Sequence, residues 1–215
     1  MTVDHPVFAR LYPRVAAALD AAGGYQHRQE LLAGLAGRVV ELGAGHGANF
    51  VHYPGEVSEV IAVEPEPGLR RKAERAARHA ATAIRVIDGD ADDLDLPAAS
   101  FDAAVTSLVL CSVPDQHRAL AGVYRVLRPG GQLRFYEHVR SPHPVAARLQ
   151  DTADVVWPAI AGGCHCNRDT LSAITGAGFQ LGTSRTFSFR PNHVPTPTAP
   201  MILGHARKPP TDDTD

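Results

Sequence analysis

The stretch at residues 39–50, VVELGAGHGANF, limits what this chain can fold into more than any other. Val39, Val40 and Leu42 read as the end of a buried strand, and Gly43, Gly45 and Gly47 follow at once. Glycines at alternate positions let the backbone turn with φ > 0 and let a ligand lie against it with no Cβ in the way. A helix starting near Gly47, short over residues 49–53 because Pro54-Gly55 stops it, would aim unpaired N–H groups at that ligand. An apolar strand, a glycine turn and a helix form the opening unit of an alternating α/β sheet.

The rest of the chain continues that alternation. Residues 57–63 (VSEVIAV) read as a second strand, closed by Glu64-Pro65. Residues 68–81 read as a helix whose Arg70, Arg71, Lys72, Arg75 and Arg78 make a solvated basic face. Residues 83–87 are a third strand, and DGDADDLDLP after it is a structured acidic turn, with Asp92, Asp93 and Asp95 solvated. Residues 101–110 are a fourth strand, and Asp115 caps a helix that ends at the breakers Arg128-Pro129-Gly130-Gly131. Residues 132–138 are a fifth strand ending in Glu137-His138. After a looser section, residues 179–189 and 201–206 are two successive strands, an antiparallel hairpin at the edge of the sheet.

Around this alternation the expected organisation is one domain over residues 1–207 and a disordered tail over 208–215. Residues 1–36 form a helical cap in which Phe8, Leu11, Tyr12, Val15 and Leu19 recur at helical spacing and Gly23-Gly24 breaks the helix. Tyr12, Tyr25 and His27 are its candidate lid residues. The insertion at 139–170 is the expected substrate cover.

Bulk properties exclude several classes. With 21 basic and 23 acidic side chains the net charge is -2, which gives no support for a nucleic-acid partner or a polybasic membrane anchor. No apolar run is long enough to span a bilayer, and MTVDHPVFAR does not read as a secretory signal. Three cysteines are not a disulfide framework, so the expected compartment is the cytoplasm. The partner is expected to be a small molecule, and the protein a monomer or homodimer.

The ligand is constrained by its carboxylates. Glu41 stands directly before the glycine turn and would repel a pyrophosphate, and the glycine spacing departs from the dinucleotide pattern. A carboxylate there suits an ammonium group. Glu64 is placed for a ribose diol, and Asp90 with Ala91 for the edge of an adenine. S-adenosylmethionine carries all three groups and no phosphate.

As a set, ELGAGHGANF, VIAVEP, IDGDADDLDLP, FDAAVTSLVLCSVPDQ and VLRPGG resemble the successive motifs of class I S-adenosylmethionine-dependent methyltransferases. That resemblance implies a doubly wound, Rossmann-like α/β fold. Its seven-stranded sheet has the order 3-2-1-4-5-7-6, with strand seven antiparallel. It implies cofactor contacts at Glu41, Gly43, Gly45, Glu64, Asp90, Ala91 and Ser107 or Leu108, with Ala44, Asn49 and Pro65 beside them. GANFVHYP, SLVLCSVPDQ, FYEHVRS, Trp157 and GGCHCNRDT followed by AGF are similar to the branch that includes animal alkyl-thiol methyltransferases. Those animal proteins have an N-terminal hydrophobic anchor, and this sequence is expected to be a soluble relative.

The implied reaction is in-line methyl transfer to a small, fairly apolar acceptor, with thiol sulfur favoured and S-adenosylhomocysteine as product. A quinone or lipid-headgroup methyltransferase is the alternative among enzymes, a cofactor-binding module without catalysis is another, and an NAD oxidoreductase is the weakest. His138 is the candidate base at the end of the fifth strand. Glu137, on the alternate side, is an anchor, and His46 shapes the turn. Tyr12, Cys111, Trp157 and Arg168 are candidate acceptor contacts, although Cys111 also reads as a small buried hydrophobe and Arg168 as half of a helix-start pair with Asp169. Cys164-His165-Cys166, with His138 and His193 elsewhere, has poor spacing for zinc, so no metal is expected.

Overall fold

The computed structural model describes residues 6–191, 194 and 196–211. Seven strands form one sheet: β1 (Gly37–Leu42), β2 (Val57–Val63), β3 (Ile84–Ile87), β4 (Phe101–Ser107), β5 (Leu127–His138), β6 (Gln180–Ser188) and β7 (Pro200–Arg207). Their order is β3-β2-β1-β4-β5-β7-β6. Strands β1 to β5 pair in parallel, and β7 runs antiparallel to both β5 and β6.

The central strands are apolar on both faces because both are covered. Val40, Leu42, Ile61, Val63, Leu133 and Phe135 pack with Leu120 and Val123 of α4 (Gln116–Val126) and Ile174 of α7 (Thr170–Gly176). The alternate residues Val39, Val60, Ala62, Val105 and Tyr136 pack with Leu31 and Leu32 of α2 (Tyr25–Leu32) and Ala73 of α3 (Pro67–Ala77). Before α2, α1 (Pro6–Leu19) runs into one wide turn, Asp20–Gly24, where Gly23 has φ 122°. Only glycine takes that angle without strain, so the expected break falls there. Among the described residues no helix is long and apolar enough to cross a membrane.

Four expectations need correction. The short helix expected over residues 49–53 is a single 3-10 turn, Phe50–His52. The side chains of Asn49 and Tyr53 on either side are tied down to Glu41, and Pro54 follows. Strand β4 ends at Ser107, because Leu108 turns out of the strand with φ 62°. Arg128-Pro129-Gly130-Gly131 ends α4 as expected, yet lies inside β5, where the register against β4 slips between Phe101 and Ala103. The basic face of α3 is not all solvated. Arg70 donates to the carbonyls of Glu64 and Pro65 and to Asp88, and Lys72 donates to the carbonyl of Ala9, tying α1 to α3. At the C-terminal end, Lys208 is held by the carbonyls of Tyr124 and Leu127, and residues 212–215 lie outside the described set.

Candidate active site

The C-terminal ends of β1, β2, β4 and β5 meet at the glycine turn. Gly43, Gly45 and Gly47 have φ of 58°, 60° and 86°. A Cβ on Gly43 would lie 2.6 Å from Val109 Cγ2, so the turn can sit on the β4 exit only as glycine. A Cβ on Gly45 would meet Tyr12 Cε1 at 3.5 Å, and the Tyr12 and His46 rings meet edge-on at 5.9 Å. Helix α1 therefore lies over the turn through Tyr12. His27, in contrast, packs with Tyr136, Phe187 and Phe189, and Tyr25 with His52.

Glu64 holds the turn from below. Its Oε2 accepts Gly45 N–H at 2.7 Å and its Oε1 accepts Glu66 N–H at 2.9 Å. Burial lifts its pKa to about 7 against these two bonds. Ala44 N–H donates to the Val63 carbonyl, which fixes β1 beside β2 at this point. Pro65 follows Glu64 and is tied by Arg70. Asp90 is half-buried and its carbonyl accepts Asp93 N–H, and Ala91 is buried beside it.

Glu41 does not stand open to an ammonium group. It is 2% exposed, and its two oxygens accept Asn49 Nδ2 at 2.8 Å and the Tyr53 hydroxyl at 2.7 Å. Burial raises its pKa to about 7. Asn49 is likewise spent within the protein, since its Oδ1 accepts Arg28 Nη1 at 2.9 Å. Glu41 and Asn49 thus brace the turn.

Arg28 is the site residue that sequence reasoning missed. It is 5% exposed and donates to Asp20, Asn49 and Ser107, which joins the N-terminal cap, the glycine turn and the end of β4. Its signal was present: Arg28 shares a helix face with Leu31 and Leu32, three and four residues on, where an apolar residue is the norm. Leu108 N–H donates to the Tyr136 carbonyl, so the Ser107-Leu108 corner is pinned to β5.

Strands β4 and β5 deliver the sulfur-rich half of the site. His138 Nδ1 lies 3.7 Å from Cys111 Sγ and 3.3 Å from Cys164 Sγ. The hydrogen bond with Cys164 and burial push the Cys111 thiol well above its ordinary range, so on its own it is a poor nucleophile. Glu137 is the anchor that alternation implies: its carboxylate accepts the N–H groups of Val109 and Cys111. The Cys164-His165-Cys166 run divides. Cys164 faces Cys111 and His138, whereas His165 and Cys166 bond to Asp154. His193 lies outside the described residues.

Two candidate acceptor contacts stand differently from expectation. Arg168 is not open as a clamp, because its Nη1 donates to the Leu110 carbonyl at 2.7 Å and secures the β4 exit. Trp157 begins the short helix α6 (Trp157–Ile160), after α5 (Pro144–Ala153), and is half-buried, with a buried Nε1 that has no hydrogen-bond partner.

The profile of a methyltransferase domain matches residues 40–135. The rat thiol S-methyltransferase TMT1B is 35% identical over 175 residues, which are 79% of this chain and 70% of that protein. The chain belongs to the class I S-adenosylmethionine-dependent methyltransferases. Human thiol S-methyltransferase TMT1A is 32% identical over 179 residues, covering 79% of this chain and 70% of that protein. Among solved structures, an S-adenosylmethionine-dependent methyltransferase from Mesorhizobium loti superposes with a TM-score of 0.65 at 26% identity, over 88% of this chain and 99% of that one. The sheet order expected from the motifs is the order observed, and the protein is an enzyme whose methyl donor is S-adenosylmethionine.

The residues at the turn fit that donor. His46 Nδ1 is buried beside it with no hydrogen-bond partner, and a buried cation and a buried carboxylate flank it. The set offers a cation for a carboxylate and an acceptor for a diol, as that ligand requires.

Proposed function

We propose that this enzyme methylates the sulfur of a small, fairly apolar thiol. The observation that carries the reading is the chemistry at the ends of β4 and β5. Glu137 is committed to backbone N–H groups, which leaves His138, between two thiols, as the group placed to accept an acceptor's proton. With Nδ1 shared between Cys111 and Cys164, that proton goes to Nε2. A thiol with pKa about 8.5 needs only such modest help, whereas a phenol or alcohol needs a closer and stronger base. The names of the relatives TMT1A and TMT1B point the same way.

The bound donor supplies an already activated methyl group on a sulfonium that leaves as a neutral thioether. The protein's share is therefore alignment and exclusion of water. In this reading Gly43, Ala44 and Gly45 lie against the amino acid end, and Arg28 faces its carboxylate. Glu64 with Pro65 holds the ribose, Asp90 and Ala91 border the adenine, and Ser107 and Leu108 close the side. Tyr12 and the N-terminal cap act as a lid, and residues 139–170, with Cys111 and Trp157, cover the acceptor. An apolar acceptor suits this cover, whose Val155, Val156 and Ile160 are exposed. We place the enzyme in the cytoplasm, as a monomer or homodimer with a small-molecule substrate and no nucleic-acid partner. Free cysteines and a net charge of -2 support this.

The test is transfer of a labelled methyl group to a panel of thiols, phenols, amines and isoprenoid quinones, with His138→Ala run beside the wild type. Transfer to thiols alone, lost on mutation and partly recovered at high pH, is the expected result. Transfer to any other class in preference to thiols would overturn the reading.

A further inference from the structure

The cluster of Cys111, His138 and Cys164 has a geometry that hydrogen bonding alone does not require. The ligating atoms of the three residues all lie within 4.8 Å of one another. The two Nδ1···Sγ separations, 3.3 and 3.7 Å, straddle the edge of about 3.5 Å that a tetrahedral ion sets with bonds of about 2.3 Å to sulfur and about 2.0 Å to nitrogen. Each residue comes from a different segment: Cys111 from the exit of β4, His138 from the end of β5, Cys164 from the loop after α6.

The loop after α6 is shaped to bring the third residue in. Gly162 and Gly163 are successive left-handed residues, with φ of 61° and 85°. A Cβ on Gly163 would meet the Ser112 carbonyl at 3.0 Å, so glycine lets this loop lie on the β4 exit. His165 N–H then donates to the Cys111 carbonyl at 2.7 Å, and Arg168 to the Leu110 carbonyl. From the other side Glu137 holds the N–H groups of Val109 and Cys111. Both backbones are thus fixed independently of the side chains they present to each other, as a preorganised ligand set requires.

We propose that Cys111 Sγ, Cys164 Sγ and His138 Nδ1 bind a zinc ion whose fourth position takes the sulfur of the acceptor thiol. Two thiolates and an imidazole favour zinc over magnesium or calcium, and three protein ligands with an open fourth position are the pattern of a catalytic zinc site. The proposal rests on the thiol acceptor of the reading above and replaces the role of His138 as base: with Nδ1 on the ion, Nε2 carries the ring proton. The two thiolates balance the charge of the ion. As the acceptor sulfur binds, its S–H proton passes to solvent. An acceptor sulfur lone pair then forms the new C–S bond while the bond between methyl and sulfonium breaks, its electron pair staying on the leaving sulfur. Both products are neutral at sulfur, and the methylated acceptor, now a thioether, is a weaker ligand and departs.

Cobalt(II) is the probe, used with the full-length protein stripped of metal under reductant. One equivalent should give the intense visible bands of a tetrahedral site and a thiolate charge-transfer band, both displaced by zinc. Cys111→Ser and Cys164→Ser should each weaken binding by more than about 100-fold, since even the groups that orient a ligand are worth about 10–100-fold. Cys166→Ser, whose sulfur lies toward Asp154, should keep it. Metal removal should cut thiol methylation more than tenfold while leaving S-adenosylmethionine binding intact, and zinc should restore it. Full thiol turnover in the metal-free enzyme would overturn the proposal, as would an octahedral cobalt spectrum or one unchanged in Cys164→Ser. A tetrahedral site made by these three residues, in an enzyme that methylates no thiol, would support the ion site and overturn the thiol reading instead.

Discussion

Binding of the methyl donor should tighten with rising pH through neutrality, and Glu64 should be the reason. Its carboxylate is lifted from an ordinary 4.5 to about 7 by burial; the Glu66 carboxylate adds to the rise and Arg70 opposes it. About one-tenth of Glu64 is then ionised at pH 6 and about nine-tenths at pH 8. A ribose diol donates both its hydroxyls to the ionised form and loses an acceptor when the group is protonated. The apparent affinity scales with the competent fraction, so Kd should weaken about tenfold from pH 8 to pH 6, about 1.4 kcal/mol. Binding should release protons, which calorimetry in buffers of different ionisation enthalpy reads directly. Glu64→Gln should bind more weakly at pH 8 and lose most of the slope. Glu41, also raised to about 7, remains in that variant and sets whatever slope is left. A flat Kd in the wild type, or an equal slope in Glu64→Gln, would refute the reasoning.

The other predictions concern the braces of the same turn. Arg28→Met should raise the Kd for S-adenosylmethionine about tenfold or more, since a charge-assisted bond contributes about 1.5–3 kcal/mol; unchanged affinity by calorimetry would remove Arg28 from the donor site. Tyr53→Phe deletes one of two partners of the buried Glu41 carboxylate and should cost about 2 kcal/mol at pH 8, a fall in Tm of about 4–8 °C. The loss should be smaller at pH 6, because the Tyr53 bond favours the ionised form. Stability itself should decline as pH rises from about 4.5 to about 7, the window in which the unfolded chain has ionised Glu41 and Glu64 and the folded one has not. Gly43→Ala sets a Cβ 2.6 Å from Val109 in a left-handed turn and should cost about 2–4 kcal/mol in denaturant unfolding, with weakened donor binding.

What the sequence disclosed follows from range. Strand β2 ends in an apolar run, Val60 to Val63, closed by Glu64-Pro65, and its observed bounds, Val57–Val63, are the expected ones. The terminal hairpin was legible because two strands follow one another there with no helix pattern between them. That the element after the glycine turn is short was legible from Pro54-Gly55; its reduction to one 3-10 turn was not, because Asn49 and Tyr53 reach back to Glu41, a contact that no local pattern records. Pro129 and Gly130 broke the helix as expected, but a strand with a slipped register took up the same residues. Arg70 and Lys72 looked like a solvated face because their partners, Asp88 and the carbonyl of Ala9, are far away in the chain. The sulfur cluster was hidden in the same way. Cys164 pairs across 26 residues with His138 and not across one residue with Cys166, so spacing pointed to the wrong set.

The most direct measurement compares kcat/KM for one small apolar thiol with that for the alcohol of the same carbon skeleton, using S-adenosylmethionine as donor. The account predicts turnover of the thiol to its methyl thioether and no detectable methylation of the alcohol. Equal or faster methylation of the alcohol would contradict it.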